Sequence, residues 1–297
     1  MKKRIITRRD FLRVAAMTPV AAAFAYGLGI PVKMGAAEKA KVILVRDKNA
    51  LMSLHNPNFD VIQKMLDDAV TTLLGEKDPV KAWKKIVKPS DVVGIKTNVW
   101  RPVSTTKEVE QAIKQRVMDV GVSEGNIGID DRGVRRNPVF QKATVLINAR
   151  PMRTHAWSGV GSLVKNYITF SPSWPSNHGD SCADLASIWN DFNLKEKTKL
   201  NILVMLNPQF HNLGRHQYSD EYVWEYKGLL VGQDPVAIDA TGVRIIEVKR
   251  REFFGRERPL SPPAKHITLA DTRHNLGVSD PGRIEVIKLG WKEEILI

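Results

Sequence analysis

The chain has 297 residues, a formal net charge of +13 and a single cysteine, Cys182. One cysteine excludes an internal disulfide, a four-thiolate iron–sulfur cluster and a cysteine-type structural zinc site, so any metal must rely on histidine and carboxylate. Residues 1–37 contribute +6 of the charge, which leaves a mild +7 on residues 38–297. With no nucleic-acid-binding motif, that excess gives no nucleic-acid partner.

The chain opens with Thr7-Arg-Arg-Asp-Phe-Leu-Arg13, then a run from Val14 to Val32 without a charge, rich in Ala and Gly and broken early by Pro19. A twin arginine before a weakly apolar run reads as a twin-arginine export signal, residues 1–37, with the translocase as its partner. Gly35-Ala36-Ala37 supplies the small side chains for cleavage after Ala37. The expected destination is periplasmic or otherwise extracytoplasmic, reached in the folded state, with no stable membrane span after cleavage. A retained anchor is the alternative, and a cofactor inserted before export is compatible with this route.

Lys41 to Val45 reads as a buried strand, and Phe59 to Leu74 carries its apolar residues at helical spacing. A second helix is predicted over Val80 to Val87, ending at Lys88-Pro89. Asp91 to Ile95 reads as a strand, Glu108 to Val120 as a helix, and Ile127 to Ile129 and Thr144 to Ile147 as strands. Between Arg150 and Pro208 the pattern is less regular. Within it, Gly159 to Tyr167 and Cys182 to Trp189 read as helices, and Leu200 to Leu206 as a buried strand. Asn207 to Asp220 is polar and aperiodic, a long loop. Lys227 to Val231, Pro235 to Ile246 and Arg283 to Lys288 follow as strand, helix and strand. The alternation predicts an α/β fold with a largely parallel sheet and helices on both faces. Residues 38–297 then form one domain, or two tightly joined lobes meeting near residues 148–155.

Polar residues recur at the carboxyl ends of the predicted strands, where open α/β sheets bind ligands. They are Lys96, Asn98 and Arg101; Asp130 and Asp131; Arg153 and His155; Asn207 and His211; and Asp234 and Asp239. Asp234, directly before Pro235, reads as a helix cap, and Asp130-Asp131 suits a turn as well as a site. The densest segment runs from Arg153 to Asn166, with His178 following. Gly159 and Gly161 are expected to open a helix that receives an anion at its N-terminus, with Lys165 facing either the crevice or solvent. His155 and His178 suit metal ligation, acid–base chemistry or plain hydrogen bonding. His211 and His216 are a weaker pair. Cys182 reads as a small core residue, and the basic cluster Lys249, Arg250, Arg251, Arg256 and Arg258 as a solvated helix end. Trp157, Tyr167, Phe170 and Trp174 divide between core and a partner surface.

Four stretches together resemble the uncharacterised domain of unknown function 362 family. They are Val93-Gly-Ile-Lys96-Thr-Asn98, Val145-Leu-Ile-Asn148 running into Arg153-Thr-His155, Gly159 to Asn166, and Leu229 to Asp239. Some relatives carry cysteine-rich iron–sulfur segments, from which this chain departs. A remoter pattern, H-x3-G-x5-K in His155, Gly159 and Lys165, resembles the lactate racemase family. That resemblance implies a lysine (Lys165) holding a nickel-pincer nucleotide covalently, an acid–base histidine (His155) and a nickel-binding histidine, for which His178 is the nearest. Arg101-Pro102 is similar to the same family's phosphate-binding turn, although the Asp-x-Thr before it is absent here.

The resulting expectation is a crevice binding a metal or a phosphate-bearing cofactor. His155 and Lys165 are its catalytic residues; Lys96, Asn98, Arg101, Asp131, Arg153 and Asn166 hold the cofactor or a small anion; His178 binds metal. The reaction class is isomerisation or redox chemistry at a small hydroxy acid. The alternative is a non-catalytic envelope protein that binds an organic anion or metal, or assists a redox complex.

Overall fold

The computed structural model describes residues 38–212, 214 and 218–297; residues 1–37, read above as an export signal, and His216 lie outside the described residues. Lys39–Ile297 forms one compact unit. Its centre is an eight-stranded sheet in the order β10-β1-β9-β8-β6-β4-β5, with β7 attached to β6. The strands are β1 (Ala40–Arg46), β4 (Val93–Lys96), β5 (Ile127–Asp130), β6 (Val145–His155), β7 (Gly159–Gly161), β8 (Thr198–Gln209), β9 (Gly228–Gly232) and β10 (Ile284–Gly290); β2 (Leu51–Ser53) and β3 (Asn56–Pro57) form a separate hairpin. β10 and β1 pair in parallel, as do β8, β6, β4 and β5 in turn. β9 runs against both of its neighbours, and β7 against β6. The fold is therefore α/β with a largely parallel, mixed sheet.

Both faces are covered because successive strand residues point to opposite sides. Val42, Leu44, Leu203, Met205 and Leu230 enter one apolar core; Ile43, Val45, Ile202, Val204 and Leu229 enter the other. The second core is closed by α1 (Phe59–Leu74), α2 (Pro79–Trp83) and α3 (Lys107–Asp119), and the first by α4 (Pro138–Lys142), α5 (Leu163–Asn166), α6 (Pro235–Phe254) and α7 (Lys265–Thr272). α1 keeps its predicted bounds. Asn58 accepts the amide of Val61 at its start, and Gly75 ends it in the left-handed region at φ 67°. It buries Ile62, Met65, Leu66 and Val70, each contributing on the order of 2 kcal/mol. Among the described residues no helix is long and apolar enough to cross a membrane.

The structure departs from the sequence expectations in four places that bear on the site. β6 does not stop at Ile147 but continues for eight residues more, through Asn148, Arg150 and Arg153. Those polar residues are buried in the strand, which an apolar-run reading takes for a loop. Residues 148–155 thus lie within one continuous strand. Gly159–Gly161 is not helical; it folds back on Arg153–His155 as β7. Here Gly159 takes φ +72°, and a Cβ on it would lie 2.5 Å from the carbonyl oxygen of Pro262. The predicted helix over Cys182 to Trp189 is not continuous: Cys182 has positive φ, residues 183–186 form turns, and a helix begins only at Ser187. Finally, β9 is antiparallel, so its carboxyl end lies beside the beginnings of β1 and β8, with Gly232 opposite Val42 and Asn201. Asp234 is therefore at the opposite end of the strands from the other polar residues, where it caps α6 by accepting the amides of Val236 and Ala237.

Candidate functional site

The carboxyl ends of β4, β5 and β6 open into a cleft of about 660 Å³. Of the expected residues, Asn98, Asp131, Arg153, His155, Lys165, Asn166 and His178 line it. Arg101 is exposed and not part of the lining. Lys96 lies fully buried beneath it, donating to Asp131 Oδ1 at 2.6 Å, the Thr97 carbonyl at 2.8 Å and Asn166 Oδ1 at 3.3 Å. With every donor used, Lys96 serves as a support for the cleft floor. Asp131 is held in place by that lysine and by the amide of Val99 at 3.0 Å. Burial works against its ionisation, but Lys96 outweighs it and keeps the carboxyl below its usual range. Asp130 turns the other way and shapes the turn to Gly133 and Asn137.

Asn166 donates to Asn148 Oδ1 at 2.8 Å and to the Lys96 carbonyl at 3.2 Å, tying α5 to β6 and β4. The other end of α5 is fixed from α6. Asp239 accepts the amides of Leu163 and Val164 and the Ser162 hydroxyl, at 2.9, 2.8 and 2.7 Å. The helix N-terminus expected to receive an anion is thus already filled by a carboxylate. Burial raises Asp239 to about 6 despite these bonds. Clamped at both ends, the single turn of α5 presents Lys165 to the cleft.

The lining contains six cationic side chains, Arg132, Arg135, Arg136, Arg150, Arg153 and Lys165, against one carboxylate, Asp131, already paired with Lys96. Arg150 and Arg153 are only 3% and 6% exposed, yet the Nε of each has no hydrogen-bond partner. Arg150 lies against Gly161, where a Cβ would come within 2.6 Å of its guanidinium. Arg153 stacks on Trp100, 3.9 Å from the ring centre. A register shift between Pro151 and Arg153 breaks strand alternation and brings both arginines to the cleft. Burial pulls Arg150 down to about 10 and Arg153 well below its ordinary value. Burial also lowers Lys165 to about 8, with Arg150 and Arg153 adding to the effect. His155 is held neutral by burial and by Lys165 and Arg153. Its Nδ1 accepts the Trp157 amide at 3.2 Å, so the ring proton sits on Nε2.

His178 packs among Trp157, Trp174 and His155, its ring stacked on that of His155 at 6.2 Å. Among the described residues no group of three His, Cys, Asp or Glu converges as metal ligands. Asn207 donates to the Leu54 carbonyl, and His211 meets Arg250; neither lines the cleft. Arg250 is itself buried and satisfied by the Phe210, Arg258 and Pro259 carbonyls, so the basic cluster is only in part a solvated helix end. Of the four aromatics, Tyr167 is core, while Trp157 and Trp174 line the cleft.

Sequence reasoning missed Arg150, the rim arginines and His266. The run Arg132-Gly-Val-Arg-Arg136, directly after a strand, was a readable signal. Arg150 and His266 had none. His266 is fully buried with neither ring nitrogen partnered, and is lowered to about 3 by burial and by Lys165 and Arg150.

No curated protein and no solved structure matches this chain. The family model described as "Domain of unknown function (DUF362)" matches residues 93–244, which span β4 to α6 and contain every residue lining the cleft. The chain belongs to that family.

Proposed function

We propose that the protein is an enzyme that binds a small, multiply charged organic anion in this cleft and uses Lys165 for chemistry on it, beside the neutral His155. The observation that carries the reading is the pair of buried arginines, Arg150 and Arg153, which face the cleft with no hydrogen-bond partner on either Nε. Burying a charge without a counter-ion costs several kcal/mol, and a bound anion offsets that cost. Planar guanidinium forks suit carboxylate and phosphate oxygens, and the exposed rim arginines draw anions in from solution. Trp100, Trp157 and Trp174 give the organic part of the ligand an apolar wall. A hydroxy acid or its oxo counterpart belongs to this class, as does the phosphate-bearing part of a nucleotide.

Titration calorimetry with pyrophosphate, citrate and ATP tests the reading. At least one is expected to bind in the micromolar range, with affinity lost in Arg150→Met and Arg153→Met. Binding of none, or binding indifferent to both substitutions, overturns it.

The Arg8-Arg9 segment supports export of the folded protein through the twin-arginine translocase. Fusion of residues 1–37 to a reporter active only outside the cytoplasm tests this, with Arg8→Lys/Arg9→Lys as the control. A reporter signal unaffected by that change would refute it.

A further inference from the structure

We infer that the anion carries a carbonyl group and that Lys165 captures it as an imine; this rests on the anion-binding reading above. The two buried lysines of this region contrast sharply. Lys96 has three oxygen acceptors, one of them a carboxylate. Lys165 is 3% exposed and lines the cleft, and among the described residues the sole hydrogen bond of its side chain is to Cys182 Sγ at 3.4 Å. A buried ammonium has three donors, and a thiol sulfur is a weak acceptor, so this position suits the neutral amine with its lone pair. Two further groups act in the same direction. Arg150 and Arg153 are charged neighbours that disfavour a third cation. With the amine lowered to about 8, roughly a tenth is neutral at pH 7, against about 0.03% for an ordinary lysine. Desolvation and an adjacent cation are the means by which enzymes make a lysine nucleophilic.

The same arginines that lower the amine hold the substrate. A carboxylate or phosphate gripped by Arg150 and Arg153 places an adjacent carbonyl carbon beside Nζ, as in a 2-oxo acid. The Nζ lone pair forms the C–N bond while the carbonyl electrons move to oxygen, which takes up a proton. The nitrogen gives up its protons, the C–O bond breaks and water leaves. The net change is R–NH2 + O=C → R–N=C + H2O, with no change of oxidation state.

The test uses the purified protein with pyruvate, 2-oxoglutarate or dihydroxyacetone phosphate in the presence of cyanoborohydride, followed by intact mass and peptide mapping. One reduced adduct per chain on the peptide carrying Lys165 is expected, formed faster as pH rises towards about 8 and suppressed by pyrophosphate. Lys165→Met is expected to abolish the adduct, and Arg150→Met to slow it more than about tenfold. Mapping and pyrophosphate protection on the unsubstituted protein keep the result decisive even if a variant fails to fold. Anion binding by calorimetry without a Lys165 adduct, or adducts spread evenly over surface lysines, overturns the imine and leaves the anion site intact. Neither binding nor adduct overturns both.

Discussion

Arg150 is the residue at which the anion site and the stability of the fold pull in opposite directions, and Arg150→Met separates the two. Its guanidinium is lowered from its ordinary value to about 10, chiefly by burial. That difference corresponds to a penalty of about 3 kcal/mol for holding the charge in the folded state. Below about pH 10 the group is protonated both folded and unfolded, so the whole penalty is present at neutral pH. It is relieved only as pH rises from about 10 towards the ordinary arginine range. Methionine keeps an apolar stem and has no charge to desolvate, and replacing buried ionic groups in this way stabilises by about 1–4 kcal/mol. The space left beside Gly161 takes back on the order of 1 kcal/mol. A net gain of about 2 kcal/mol, or roughly 4 °C in melting temperature, follows. Urea denaturation followed through tryptophan fluorescence, with and without saturating pyrophosphate, reads both effects. The unsubstituted protein is expected to gain about 2–3 kcal/mol from the anion, and Arg150→Met to gain almost none. A variant less stable than the original that still responds to the anion would refute the reasoning.

Lys96→Met leaves Asp131 buried without its counter-ion and is expected to cost about 3–5 kcal/mol in the urea midpoint, part of which Asp131→Leu in the same chain restores. Gly159→Ala meets both a left-handed φ and the Pro262 carbonyl, so a loss of about 2–4 kcal/mol is expected; an unchanged melting temperature would contradict the hairpin geometry. Because Lys165 is charged below about 8 and loses its charge above it, pyrophosphate affinity is expected to fall as pH rises through that value, and calorimetry on Lys165→Met should lack the step. Arg132→Gln/Arg135→Gln/Arg136→Gln is expected to slow anion association and flatten its salt dependence in stopped-flow measurements, without moving the melting temperature by more than about 2 °C.

The parts legible in the sequence are those whose signal is local. Apolar runs at Val42 to Val45 and Leu200 to Leu206 and helical spacing over Phe59–Leu74 fix strand and helix, because backbone geometry imposes the same period on burial. Asp234 before Pro235 is a cap for an equally local reason. Legibility fails where a polar residue is buried inside a strand, as with Asn148, Arg150 and Arg153, since polarity then reports the site and not the backbone. It fails again at Gly159–Gly161, where close approach of Pro262 and Arg150 decides the conformation.

The sequence alone therefore determined the α/β class and gathered His155, Lys165 and their neighbours at strand ends. Tertiary structure decided which residues face the cleft, through long-range events that no local pattern encodes. The reversal of β9 carried Asp234 to the far end of the strands, and Asp239 came across from α6 to clamp α5. Asp131 pairs with Lys96, whereas Lys165 meets only the Cys182 thiol, which is the physical difference between the lysine that supports the cleft floor and the one that lines it.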